Sequence, residues 1–167
     1  MFGTRFAHWP EQIYLRRSAM DALELLKQDH QKVKELFEKG QQTKDKKQQK
    51  QIFKEIKSEL DTHARIEEAI FYPAMEEHEE LKEMVLESIE EHKQVKTVLR
   101  EMARLSPNSE KFKPKFKVLK DNVEHHAEEE EEGKMFPEIR KLIDSTELEQ
   151  LGQELEAAKH KRLRRAG

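Results

Sequence analysis

One pattern of metal-ligand residue types is written twice along this chain, and the duplication constrains the fold more than any local propensity does. The first copy carries Asp29-His30-x-x-Val33, then His63-x-x-x-Glu67-Glu68 leading to Phe71-Tyr72-Pro73. The second carries Glu91-His92-x-x-Val95, then His126-x-x-x-Glu130-Glu131 leading to Met135-Phe136-Pro137. His30 and His92 lie 62 positions apart, His63 and His126 63, and Pro73 and Pro137 64, so the copies align with single-residue slips. A duplicated helix pair built around one shared site accounts for that register.

Periodicity places the four histidines on interior faces. Ile52, Ile56, Leu60, His63, Glu67 and Ile70 step by three or four, as do Val85, Ile89, His92, Val95, Leu99 and Met102. Phe112, Phe116, Leu119, Val123, His126 and Glu130 form a third such stripe, and Leu23, Leu26, His30, Val33 and Phe37 a fourth. The chain is poor in strand and turn signals, with 5 Gly and 5 Pro among 167 residues, so an all-helical class is expected. Charged residues at 40% against 35% hydrophobic suit helices that each bury one stripe and wet the opposite face.

Five helices are expected. The first spans about Ala19 to Lys39 and stops at Gly40 in a left-handed conformation; the second opens within the polar stretch 41–50 and runs to about Tyr72, where Pro73 ends or kinks it. The third covers about Glu79 to Leu105. Ser106-Pro107-Asn108-Ser109 is a loop with Ser109 as N-cap of the fourth helix, which continues to about Asp144. Thr146-x-x-Glu149 reads as a capping box for a fifth helix with a basic tail from Lys159 to Arg165. The domain division is thus an N-terminal extension at 1–19, a four-helix bundle at 20–145, and a C-terminal helix and tail at 146–167. In antiparallel helices, residues equidistant from a turn share a level. The midpoints of His92 and His126 (Ser109), of His63 and His92 (near Glu77) and of His30 and His63 (near Lys46) all fall in or beside turns, so the four imidazoles meet in one layer.

Several imidazoles and carboxylates in a Leu, Ile, Val and Phe core each cost at least about 1–3 kcal/mol unless compensated. A cation compensates them together, and neutral nitrogen with carboxylate oxygen suits iron, manganese or zinc. The candidate ligands are His30, His63, Glu67, His92 and His126, with one acid after His126. Glu130 sits four residues on and is favoured; Glu131 aligns with Glu67 when counted back from proline, and a π-bulge would bring it to the site as an i+5 ligand. His125 leaves the interior stripe. His8, His78 and His160 lack the register and read as ordinary histidines, the remaining acids of the run as a solvated face, and Phe71-Tyr72 and Met135-Phe136 as core packing.

These motifs resemble the hemerythrin-like, or HHE cation-binding, domains over roughly residues 20 to 145. The resemblance implies an up-and-down antiparallel four-helix bundle around two non-haem irons bridged by carboxylate and by an oxo or hydroxo group. Manganese and zinc suit the same donors. By motif, His30, His63, His92 and His126 would be terminal ligands, while Glu67 and the acid after His126 would bridge. The implied functions are binding or sensing of dioxygen, nitric oxide or redox and iron status; a diiron oxidase or peroxide-degrading enzyme, and iron storage, repair or a structural metal module, are the alternatives. One departure stands out. Oxygen-carrying members place a second histidine one turn from that of the third helix, where this chain has Ser88 and Lys96, so water, Glu68 or another acid would complete the centre. The Glu-x-x-His of ferritin-like bundles is missing, since Leu60 and Val123 stand three before His63 and His126.

Composition excludes some classes. With no cysteine there is no disulfide, thiolate site or thiol catalysis. A net charge of −3 argues against nucleic acid as a partner, and no apolar run reaches membrane-spanning length. A cytoplasmic protein whose partner is a small diatomic ligand is expected, with homo-oligomerisation compatible.

Overall fold

The computed structural model describes residues 20–166, with side chains through 161. The expected extension at 1–19 and most of the basic tail lie outside the described side chains. Helix α1 spans Ala22–Gln42 and α2 Lys46–Ile66. A π-helical segment, Glu67–Phe71, carries α2 without a break into α3, Tyr72–Met75. After a short 3-10 turn at Glu79–Leu81 comes α4, Lys82–Ala103. Then α5, Phe112–Glu124, runs through a second π-helical segment, His125–Met135, into α6, Phe136–Leu142. The last helix, α7, is Ser145–Ala166. The result is a helical bundle of four long rods with a fifth helix packed on α1 and α2, and among the described residues there is no strand. No described helix is long and apolar enough to cross a membrane.

Aspartates start three of the helices. Asp21 accepts from the Glu24 N–H at 2.9 Å, Asp45 from Lys47 at 2.8 Å, and Asp144 from Thr146 and Glu147 at 2.8 and 3.0 Å. The cap of α7 is therefore Asp144 rather than the expected Thr146 box. Likewise α5 begins at Phe112, three residues after Ser109, because Ser109 serves the preceding turn: its carbonyl accepts from Phe112 N–H at 3.0 Å.

Gly40 is not a left-handed stop. No described residue has positive φ, and α1 runs two residues past it to the extended Thr43. Its smallness serves packing instead. A Cβ at Gly40 would sit 2.5 Å from the Phe116 ring, so glycine lets α1 approach α5, and the Gln49 amide donates to its carbonyl at 3.1 Å.

Pro73 and Pro137 neither stop nor break their rods. Just before each, a backbone bond spans five residues, Tyr72 N–H to Glu67 C=O and Phe136 N–H to Glu131 C=O, and the widened turn accommodates a residue with no N–H.

The apolar interior is divided. One cluster, around Leu26, Phe71, Met75, Leu81 and Phe136, fills the end nearest the prolines; another, around Phe37, Phe53, Leu99, Phe112 and Phe116, fills the other end. The histidine layer lies between them.

Candidate metal centre

Each histidine stands on its own rod, and the rods bring them together in pairs. His30 Nε2 lies 3.1 Å from His63 Nε2, and His92 Nε2 lies 3.0 Å from His126 Nε2. Two carboxylates connect the pairs. Glu67 approaches His63 Nε2 with one oxygen at 3.0 Å and His92 Nε2 with the other at 3.3 Å. Glu131 lies 3.1 Å from His30 Nε2 and 3.8 Å from His126 Nε2. Both carboxylates are wholly buried.

The π-helical segment sets which of Glu130 and Glu131 faces the histidines. From His126 onward the turn widens, so the residue five on, Glu131, shares its face, while Glu130 is turned toward Lys134 at 2.7 Å and His125 at 3.5 Å. Among the described residues, the groups of ligand atoms close enough to hold an ion are His30, His63, Glu67 and Glu131, and Glu67, His92 and His126. Glu130 belongs to neither, contrary to the i+4 expectation. The same segment absorbs the residue by which the second copy exceeds the first between histidine and proline.

Behind the imidazoles stands a second ring of acids, one per histidine and each from another rod. His30 Nδ1 meets Glu132 at 2.7 Å, His92 Nδ1 meets Glu68 at 2.9 Å, His126 Nδ1 meets Glu91 at 2.8 Å, and His63 Nδ1 faces Asp29 at 3.5 Å. A carboxylate at Nδ1 accepts its proton and leaves the Nε2 lone pair bare. Four bare nitrogens then face one another and two carboxylates. Neither oxygen of Glu67 nor Oε2 of Glu131 has a hydrogen-bond partner, although imidazole nitrogens lie within contact distance. Lone pairs converging in a buried space fit cations, and the six protein groups gather in two sets that share Glu67, which fits two of them.

The electrostatics of the protein alone show the same demand. Burial opposes charge on His63, but Glu67 and Asp29 overcome it and push its pKa up to about 10. Burial likewise works against charged His30 and His92, yet Glu131 and Glu67 raise them. Glu67 is raised by burial but held well below the usual carboxylate range by His63 and His92. Positive charge belongs at this centre.

Tyr72 packs in the core as expected, and its hydroxyl also reaches the histidine layer, which core packing alone does not foresee. Its hydroxyl donates to Glu131 Oε1 at 2.8 Å and lies 3.4 Å from His92 Nε2. Ser88, one turn before His92, is buried beside it. The phenol thus occupies the neighbourhood where oxygen carriers have a second histidine. In the other copy the matching residue is Phe136, stacked near His30 with ring centroids 6.2 Å apart. Glu68 and Glu132 were also missed as supports of His92 and His30; their shared register in the two copies was the available signal.

A cavity of about 30 Å³ is lined by the four histidines together with Val33, Leu60, Val95, Leu99 and Val123. Asp61 and Lys96, both part-exposed, line it as well.

Comparison with known proteins agrees with this architecture. The family model of the hemerythrin HHE cation binding domain matches residues 21–139. A solved structure of a hemerythrin HHE cation binding domain-containing protein from Mycobacterium kansasii superposes with a TM-score of 0.74 at 29% identity, covering 84% of this chain and 86% of that one. An uncharacterized protein of Mycobacterium tuberculosis is 30% identical over 139 residues, 83% of this chain and 84% of the relative. A protein of Nostoc sp. named DNA nickase is 31% identical over 148 residues, 89% of this chain; the chain spans only 42% of that relative's length. With its duplicated histidine pairs, shared buried glutamates and matching helical framework, this chain belongs to the hemerythrin HHE cation-binding family.

Proposed function

We propose that this chain is a cytoplasmic non-haem diiron protein that binds or senses dioxygen or a related diatomic molecule. The observation that carries the reading is the pairing of histidines across two shared, buried carboxylates beside an apolar cavity. His30 and His63 would hold one iron and His92 and His126 the other, with Glu67 and Glu131 between them. Iron held by nitrogen and carboxylate donors changes oxidation state readily and takes small ligands at open positions.

The protein's own residues supply the rest. The Nδ1 carboxylates orient the imidazoles, the five aliphatic side chains around the cavity exclude bulk water, and Tyr72 keeps a proton on its oxygen beside Glu131. Burial and the neighbouring carboxylates Glu131 and Glu67 raise its pKa well above the usual phenol value. The cavity has room for about one or two water-sized molecules, which selects for diatomics over larger substrates.

Loading with ferrous iron without air, followed by metal analysis and an absorption spectrum on admitting air, tests this. About two irons per chain and new visible charge-transfer bands, both lost in His63→Ala/His126→Ala, are expected. An inert or metal-free but folded protein would sink the proposal, and slow chelator-reversible release without oxygen chemistry would leave storage or structure as the role.

Tyr72 favours a second reading, a diiron oxidase or peroxide-degrading enzyme, because it sets a proton donor beside the centre in place of a histidine. Turnover with peroxide that falls in Tyr72→Phe would select it. The name of the Nostoc relative raises DNA nicking as well. Against it, the cleft outside His30 is lined by Glu24, Glu124, Glu128 and Glu132 against Lys27 and Lys34, a poor surface for a phosphate backbone. Incubation of metal-loaded protein with supercoiled plasmid decides the point.

A further inference from the structure

Helix α7 reaches the centre. Leu148, Gly152, Leu155 and Lys159 are spaced by four, three and four and form one face; the two leucines are buried in the core. Gly152 sits so close to the start of α1 that a Cβ would lie 2.2 Å from the Met20 carbonyl oxygen. About two turns further on, Lys159 donates to Asp29 Oδ1. Asp29 is the acid that supports His63, through its other oxygen.

That support is the weakest of the four. Three of the Nδ1 contacts measure 2.7 to 2.9 Å and the Asp29 contact 3.5 Å. Glu68 also meets a lysine, Lys96, but through the oxygen that His92 uses, and its imidazole contact stays at 2.9 Å. Only at Asp29 is the carboxylate divided, one oxygen toward a lysine from outside the four rods and the other toward the imidazole. A carboxylate at Nδ1 raises ligand basicity and fixes the ring, so dividing it weakens the ligand. The ammonium of Lys159 also adds positive charge near a cation position.

We propose that Lys159 is a positioning residue that, by drawing Asp29 from His63, makes the His30/His63 ion the more easily released of the two. The inference rests on the two-cation reading of the centre. It gives the fifth helix a role in metal exchange and the two positions unequal lability.

The full chain loaded with Co²⁺ and mixed with excess chelator provides the test, with bound metal counted and release followed by the Co²⁺ absorption. The parent should hold about two ions and release them in two phases. Lys159→Met should slow the faster phase by about tenfold, the scale on which outer-shell partners act, with Lys159→Gln behaving alike if the apolar variant perturbs folding. Lys159→Arg should restore the parent rate. Lys159→Met added to Asp29→Asn should produce no further slowing, a dependence that a merely structural lysine would not show. Two bound ions with a fast phase unchanged or accelerated in Lys159→Met would overturn the inference alone. A parent that binds no Co²⁺ would overturn the two-cation reading and this inference with it.

Discussion

The first half of the bundle, α1 through α3, and the second, α4 through α6, began as the same pattern and now differ at three places around one centre. The second half carries an additional residue between histidine and proline, absorbed by the longer π-helical segment His125–Met135 against Glu67–Phe71. The first half presents Tyr72 where the second has Phe136. Asp29 is shared with Lys159 of α7, whereas its counterpart Glu91 meets His126 and His125. The ligand types are kept and the supports vary. A buried polar layer tolerates little change in the groups that must face one another, since each unpaired member is costly, while the surrounding groups can change without emptying the layer.

The sharpest way to break the equivalence of the halves is at a residue that serves both. Glu67 touches one histidine of each pair, so Glu67→Gln should lower bound metal from about two ions per chain toward none, whereas His126→Ala should spare the His30/His63 position and leave about one. Metal analysis after gel filtration distinguishes them, and equal losses would mean that the halves do not bind separately.

Titration of the metal-free protein should have the next largest effect. His63 is raised from 6.5 to about 10 in the folded chain, so the stability it confers is complete below about pH 6.5 and is lost as pH rises toward 10. Glu67 is the same interaction seen from its other end. Its depressed pKa gives stability present above 4.5 that is lost as pH falls through its folded value. Denaturant midpoints of the metal-free protein should therefore fall between pH 7 and 10. A metal ion takes the proton's place, so in loaded protein that decline should shrink; parallel pH profiles would contradict a cation-demanding centre. Metal uptake near pH 7 should release protons, and apparent affinity should weaken as pH drops.

The smallest effect sharpens the contrast of Tyr72 with Phe136. Tyr72→Phe removes the hydrogen bond to buried Glu131 and should cost the metal-free protein about 1.5–3 kcal/mol in denaturant unfolding. Phe136→Tyr, the exchange in the opposite direction, places a hydroxyl in the His30 half and should not restore that loss in the double variant, because Tyr72 serves Glu131 Oε1 whereas the oxygen beside His30 is Oε2.

Much of this centre could be read from residue order. His30, His63, His92 and His126 lie on apolar stripes of period 3.6, so a helical reading of those stripes already puts all four inside. Glu67 follows because it extends its own stripe by one turn. Glu131 did not, since an ideal helix favours i+4 and the widening at His126 arises from how the whole segment packs. The acids at Nδ1 were visible as neighbours in the repeat, yet each supports a histidine of another rod, and no spacing along one helix encodes that. Helix ends were similarly local decisions made by nonlocal packing: Gly40 reads as a stop signal, but the approach of Phe116 makes it a contact.

By itself the amino-acid sequence determined the class of fold, the duplication, and a buried layer of histidine and carboxylate, because periodicity is a property of the chain alone. Tertiary structure decided which acid completes the layer, which carboxylate holds which imidazole, and that Tyr72 and Lys159 belong to the centre's surroundings. Those are distances between rods, set when side chains from separate helices fill one interior, and they come into being only when the rods pack.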